Sequence, residues 1–226
     1  MSNLYLILDA AAIAGPVALS FDRKVSFISN WKYVFLAAFI IAIPFLVWDA
    51  YFTSVGIWGF NDNYLVGTSF LGLPIEEVLF FIVVPFSCTF IYECCKHYIS
   101  TNKTRLFDKV IMSVLVLYTF VMMLPNLSHV YTLSAGLSFI MIVLIWVGNK
   151  QISHVGPTFI FSMIPFFIMN GILTGYLTEE PVVWYNDAEN TGMRIGTIPV
   201  EDVIYGSTLI FSNIFLYEWI KRKWSK

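Results

Sequence analysis

The feature that most constrains this chain is a series of uninterrupted apolar runs, each long enough to cross a bilayer, recurring from one end to the other. A helix needs about 20 mostly apolar residues to cross the hydrocarbon core, because it rises only about 1.5 Å per residue. Seven such runs can be drawn, over about 4–20, 33–52, 75–95, 108–125, 130–147, 157–177 and 199–220. Lipid offers backbone N–H and C=O groups no partner, so runs of this length read as helices that satisfy themselves. Composition closes off the soluble alternative: 58% of residues are apolar and 12% charged, with a mean hydropathy of +0.75. A soluble domain carries about a quarter charged residues. The expected fold class is an all-α membrane protein with seven transmembrane helices. The bilayer is its first partner, and nucleic acid is not expected, because no long basic run is present.

Loop charges orient the spans. Arg23, Lys24 and Lys32 follow the first, Lys96, Lys103, Arg105 and Lys109 the third, and Lys150 the fifth. Lys221, Arg222, Lys223 and Lys226 close the chain, and only Arg194 falls in an alternate connection. By the positive-inside rule the C-terminus is cytoplasmic and the N-terminus faces out. The first span starts without a basic n-region and is followed by Asp22, Arg23 and Lys24, the pattern of a retained helix rather than a cleaved signal.

The chain also echoes itself. Pro74-Ile75-Glu76-Glu77-Val78 returns as Pro199-Val200-Glu201-Asp202-Val203, 125 positions later. The same offset pairs Tyr92-Glu93 with Tyr217-Glu218, Ser87 with Ser212, Phe60-Asn61-Asp62 with Tyr185-Asn186-Asp187, Gly67 with Gly192, and Tyr51 with Tyr176. One fixed offset through so many polar and special residues points to an internal repeat. The expected organisation is a first three-helix unit at 1–97, a linker with the fourth helix at 98–129, and a second unit at 130–226. The fourth helix restores the direction of the second unit, so the two repeats lie parallel about an axis along the membrane normal.

Charged side chains inside spans are costly and mark function by default. Asp9, Asp49, Glu76, Glu77, Glu201 and Asp202 all fall in or at the outer part of predicted helices, with Arg194 the one cation available on that side. Unpaired carboxyl groups in an apolar setting favour their neutral form, so the expectation is a set of proton donors in a dry pocket. The plain alternative is that proline followed by acids is how an ordinary helix begins. Two copies at one depth, together with Asp9 and Asp49, favour function. Glu76 shares a helix face with Phe80, Val83 and Ser87, and Glu201 with Tyr205, Thr208 and Ser212. Those faces suit an interior, but Glu77 and Asp202 remain open as the inward pair, since adjacent helical residues point about 100° apart. Glu93 and Glu218, beside Lys96 and Lys221, read as ion-paired or solvated structural groups. The outer connections, about 53–73 and 178–198, carry Trp58, Phe60, Tyr64, Phe70, Trp184 and Tyr185. They fit either an interfacial aromatic belt or a pair of lids offering ring faces to a cation.

Several classes are excluded. No G-x-G-x-x-G fingerprint follows a strand, and no P-loop occurs, so no organic cofactor is expected. His97, His129 and His154 stand apart, and Cys88, Cys94 and Cys95 share one apolar segment without zinc-like spacing, so no metal is expected. The last span has no lysine for a retinal Schiff base, and the aspartates after Asn61 and Asn186 lack the further spaced acids of membrane prenyltransferases.

Trp48-Asp49, Gly56-Ile57-Trp58-Gly59-Phe60-Asn61, Gly72-Leu73-Pro74-Ile75-Glu76-Glu77-Val78-Leu79-Phe80-Phe81 and Ile91-Tyr92-Glu93 together resemble the small membrane lycopene cyclases. Tyr5 to Asp9 and Gly15-Pro16 fit the same family, while Tyr205-Gly206 departs from its paired phenylalanines in the second copy. The resemblance covers nearly the whole chain and implies acid-catalysed, non-redox closure of the linear ψ-ends of lycopene to β-ionone rings. An intramolecular lyase or isomerase is thereby implied, in carotenoid biosynthesis at a bacterial inner membrane, beside other carotenoid-pathway enzymes. It casts Glu76 and Glu201 as principal acid and base, Glu77 and Asp202 as tuning partners, and Asp49 or Asp9 as support. Trp58, Phe60, Phe80, Tyr185 and Tyr205 would meet the substrate. A C50 or ε-ring cyclase is the runner-up, and a small proton-coupled transporter the reading from another class.

Overall fold

The computed structural model describes residues 3–149 and 151–224, so Lys150 and Lys226, two of the orienting cations, lie outside the described residues. Seven α-helices occur among the described residues: α1 (Leu4–Leu19), α2 (Trp31–Ser54), α3 (Ile75–Tyr98), α4 (Thr101–Met123), α5 (Val130–Gly148), α6 (Val155–Leu173) and α7 (Val200–Trp224). Six of these are long and apolar enough to cross a membrane, while α1, at 16 residues, is shorter. At about 1.5 Å per residue α1 reaches roughly 24 Å, against about 36 Å for 24-residue α2 and α3.

Helix ends follow local chemistry. The fourth helix begins at Thr101, earlier than its apolar run, because Lys103 and Arg105 can lie on apolar stems and reach outward with their charges. Its Asp108 accepts the backbone N–H groups of His154 (2.9 Å) and Gly156 (2.8 Å), and so caps the start of α6. The sixth helix stops at Leu173, short of the expected 177, where Gly175 turns the chain with φ of 109°. Pro16 inside α1 has no N–H for the Ala12 carbonyl, and Ser87 Oγ of α3 donates to that oxygen at 3.0 Å.

Helices α3 and α7 form the centre. The first half packs α1 on α3 and the second packs α5 on α7; across the middle, α2 lies on α7 and α6 on α3. In its most apolar window α7 is 67% buried, against 33% for α4 and α5. Leu106, Leu117, Val121, Leu144 and Ile145 point outward from those peripheral helices, as lipid-facing residues must. Asn213 Nδ2 reaches Thr89 Oγ1 at 2.8 Å mid-way along the central pair. At their C-terminal ends Lys96 contacts Glu93 (3.2 Å) and Glu218 (2.6 Å), and Lys221 contacts Glu93 (3.2 Å). The structural, ion-paired reading of those glutamates therefore holds.

Short strands, absent from the all-α expectation, shape the connections. The pair β1 (Trp58–Phe60) and β4 (Val183–Tyr185) runs antiparallel with Trp58 opposite Tyr185. Hairpins β2–β3 (Ser69–Phe70, Leu73–Pro74) and β5–β6 (Arg194–Ile195, Ile198–Pro199) lead straight into α3 and α7. Their two-residue turns use Gly72 (φ 81°) and Gly196 (φ 65°), the left-handed backbone that tight hairpins require. Interior-facing backbone in these loops needs partners, and pairing strands across the two connections supplies them.

Candidate active site

The β2–β3 and β5–β6 hairpins each deliver a proline and then two acids into a first helical turn. All four acids are buried, Glu76 and Glu201 completely and Glu77 and Asp202 at 9% and 4% exposure. Adjacent positions on a helix diverge by about 100°, and the two members of each pair take different roles.

Glu77 and Asp202 line a cavity of about 480 Å³, together with Asp49 of α2. Tyr5 donates to Glu77 Oε2 at 2.5 Å, and Asp49 Oδ2 is buried without a partner. Trp58 Nε1 donates to Asp49 Oδ1. Asp202 sits differently: Tyr131 (2.5 Å), Asn170 (2.7 Å) and Tyr185 (2.9 Å) all donate to it. Three donors match the acceptor capacity of an anion. Tyr185, in the outer loop, has its phenol raised well above the usual value by burial and then by Asp202, so it stays protonated and able to donate.

Glu76 and Glu201 do not line the cavity. Glu76 Oε1 accepts Val66 N–H at 2.6 Å, while Glu201 Oε1 accepts Thr191 N–H and Thr132 Oγ1, each at 2.7 Å. Each thus ties a helix start to a loop residue ten positions earlier, leaving its other oxygen buried without a partner. Asp9 is 2% exposed and has no hydrogen-bond partner on either oxygen. Arg194 pairs with Asp187 at 2.6 Å instead of with the buried acids.

The five aromatic residues singled out in the sequence, Trp58, Phe60, Phe80, Tyr185 and Tyr205, all line the cavity. Their rings box in the carboxyl end: Trp58 lies 5.1 Å from Tyr131, 5.9 Å from Tyr205 and 6.1 Å from Tyr185 between centroids. Sequence reasoning missed Tyr131 and Asn170 as partners of Asp202. A faint signal existed, since Tyr131 follows Tyr5 by 126 positions, one away from the repeat offset. Such an enclosure can hand a proton to an apolar molecule, offer ring faces to the resulting cation and take a proton back. Among the described residues no group of three or more His, Cys, Asp or Glu side chains is placed to hold a metal ion.

The sequence profile of the lycopene cyclase family matches residues 2–95 and 128–220. The chain belongs to that family. Among curated relatives, it is 31% identical over 62 residues to a bifunctional lycopene cyclase/phytoene synthase of Phaeosphaeria nodorum, covering 27% of this chain. It is 27% identical over 90 residues to the protein of that name from Neurospora crassa, covering 40% of this chain. The matched segments span 10% and 14% of those two relatives' own lengths. No solved structure matches the chain. Its six long apolar helices are those of a multi-pass membrane protein.

Proposed function

We propose that the chain closes the linear ψ-ends of lycopene into β-ionone rings, giving γ-carotene and β-carotene without net redox change. One observation carries the reading: three carboxyl groups and an aromatic box stand together in an otherwise apolar cavity. The Asp49–Glu77 pair delivers its proton to the terminal double bond, leaving a tertiary carbocation. The neighbouring double bond attacks that cation, closing the six-membered ring and moving the charge onto a ring carbon. Asp202 then removes the adjacent ring proton, which forms the β double bond. One proton leaves the pair and one arrives at Asp202, so solvent or the tyrosines need only return it. Trp58 and the tyrosines hold the cation by their ring faces, and the dry walls keep water from trapping it.

Under this reading Glu77, Asp49 and Asp202 touch the reacting end, whereas Glu76 and Glu201 position the helix starts and Asp9 is a buried supporting acid. The chain is organised as parallel units 1–97 and 130–226 about a linker at 98–129, with seven spans and an outward N-terminus. The crosswise packing of α2 on α7 and α6 on α3 supports that symmetry, as does the matching use of Glu76 and Glu201. The test is expression in lycopene-accumulating bacteria followed by pigment extraction. Cyclic carotenes are expected; a membrane-inserted, well-expressed chain that leaves lycopene untouched overturns the proposal.

A further inference from the structure

The cavity is longer than the carboxyl site needs. Its α1 wall runs from Tyr5 through Leu8, Ala12 and Gly15 to Leu19, positions that fall on one straight face at steps of three and four. Fourteen residues at about 1.5 Å each give a trough of roughly 21 Å. The middle of this wall is built of small residues, Ala11, Ala12 and Gly15, and a Cβ placed on Gly15 would meet nothing within 4 Å. Ser87 lines the trough but has its hydroxyl committed to the Ala12 carbonyl, so it presents little polarity there. Leu19 and Ile168, which line the same space, are 56% and 62% exposed, so the trough meets the surface at the α1–α6 seam. Ile168 lies in the C-terminal half of apolar α6, where that surface is lipid, and Leu19 ends α1.

We infer that this seam is a lateral portal and that the trough behind it seats the polyene chain of a long linear isoprenoid, with one end of the molecule engaged at a time. The inference rests on the cyclase reading for the identity of its occupant. An extended carbon chain advances about 3.5 Å for every three backbone bonds, so the main chain of lycopene, about thirty-two carbons long, outruns a trough of roughly 21 Å. One end group and the adjoining polyene therefore fill it, and the remainder extends through the seam into the bilayer. A single carboxyl site at the blind end then makes one ring per engagement. The monocyclic product must leave and return reversed for the second ring.

The test places a block in the trough, far from the acids. Gly15→Phe, Ala11→Leu as a smaller block, and Ile7→Phe on the lipid-facing side as a control are each purified into nanodiscs. Lycopene binding is read by induced circular dichroism, and turnover by product analysis over time. Gly15→Phe is expected to raise KM at least tenfold and abolish the dichroic signal, while Ile7→Phe matches the wild type. Free γ-carotene should precede β-carotene in the wild-type time course. If Gly15→Phe fails to accumulate, Ala11→Leu carries the same expectation at a severalfold rise in KM. Unchanged KM and dichroism in the blocked variants overturn the trough while leaving the cyclase reading intact. A wild type that binds lycopene in a Gly15-sensitive way but never cyclises it overturns the cyclase reading and keeps the trough.

Discussion

Replacing Glu77 with Gln separates a proton donor from a mere hydrogen-bonding group. In place of Glu77, the Gln amide can still accept from Tyr5, which donates to Oε2 at 2.5 Å in the native chain. Volume and bonding survive; the transferable proton does not. General acid catalysis contributes about 10²–10⁴-fold, so the barrier should rise by roughly 3–5.5 kcal/mol at about 1.4 kcal/mol per tenfold. Glu76→Gln is the internal control. Its Oε1 can go on accepting Val66 N–H, and its second oxygen has no partner to lose. Activity within about threefold of wild type is expected, as for changes that spare the reacting groups. The assay is lycopene turnover in isolated membranes, normalised to inserted protein, with products separated chromatographically. A Glu76→Gln loss of a hundredfold or more beside a nearly active Glu77→Gln refutes the assignment of the cavity-facing acid.

Asp202→Asn should cost at least a hundredfold in turnover, because the base is lost and three donors face an amide. Tyr185→Phe removes one charge-assisted bond and should cost about ten- to a hundredfold, matching about 1.5–3 kcal/mol; both are read in the same membrane assay. Gly59→Val drives a side chain into the Trp184 ring across the β1–β4 pair. Overpacking of about 1–3 kcal/mol should lower the thermal unfolding midpoint in detergent. Asp108→Ala strips two backbone donors of their acceptor at the buried start of α6, and about 2–4 kcal/mol of stability should go with them in the same measurement.

Much of this arrangement was legible in the residues. Apolar runs long enough to span lipid fixed where helices fall, because nothing else satisfies a backbone there. The 125-residue echo singled out both acid pairs before any coordinates. Which acid of each pair faces inward was not legible. A helix face is a choice between neighbours about 100° apart, and the loops before the hairpins engage Glu76 and Glu201 through the Val66 and Thr191 N–H groups. The strands escaped for a related reason: β1 and β4 are three residues each and pair across more than a hundred positions. Local periodicity carries no trace of such a partner. Tyr131 and Asn170 look like ordinary span residues until α5, α6 and α7 meet around Asp202.

The polar contacts between α3 and α7 set more than stability. Sliding one helix past the other by a turn would move it about 5.4 Å. The Asn213–Thr89 bond and the Lys96–Glu218 ion pair forbid that slip. Lys96 lies nineteen residues from Glu77, roughly 28 Å down the same helix. The distance between Glu77 and Asp202, the proposed donor and acceptor of the proton, is thus calibrated from the far end of the helix pair. Side chains outside the cavity hold the Glu77 and Asp202 carboxyl groups in gauge, as the far tines of a fork hold the near ones.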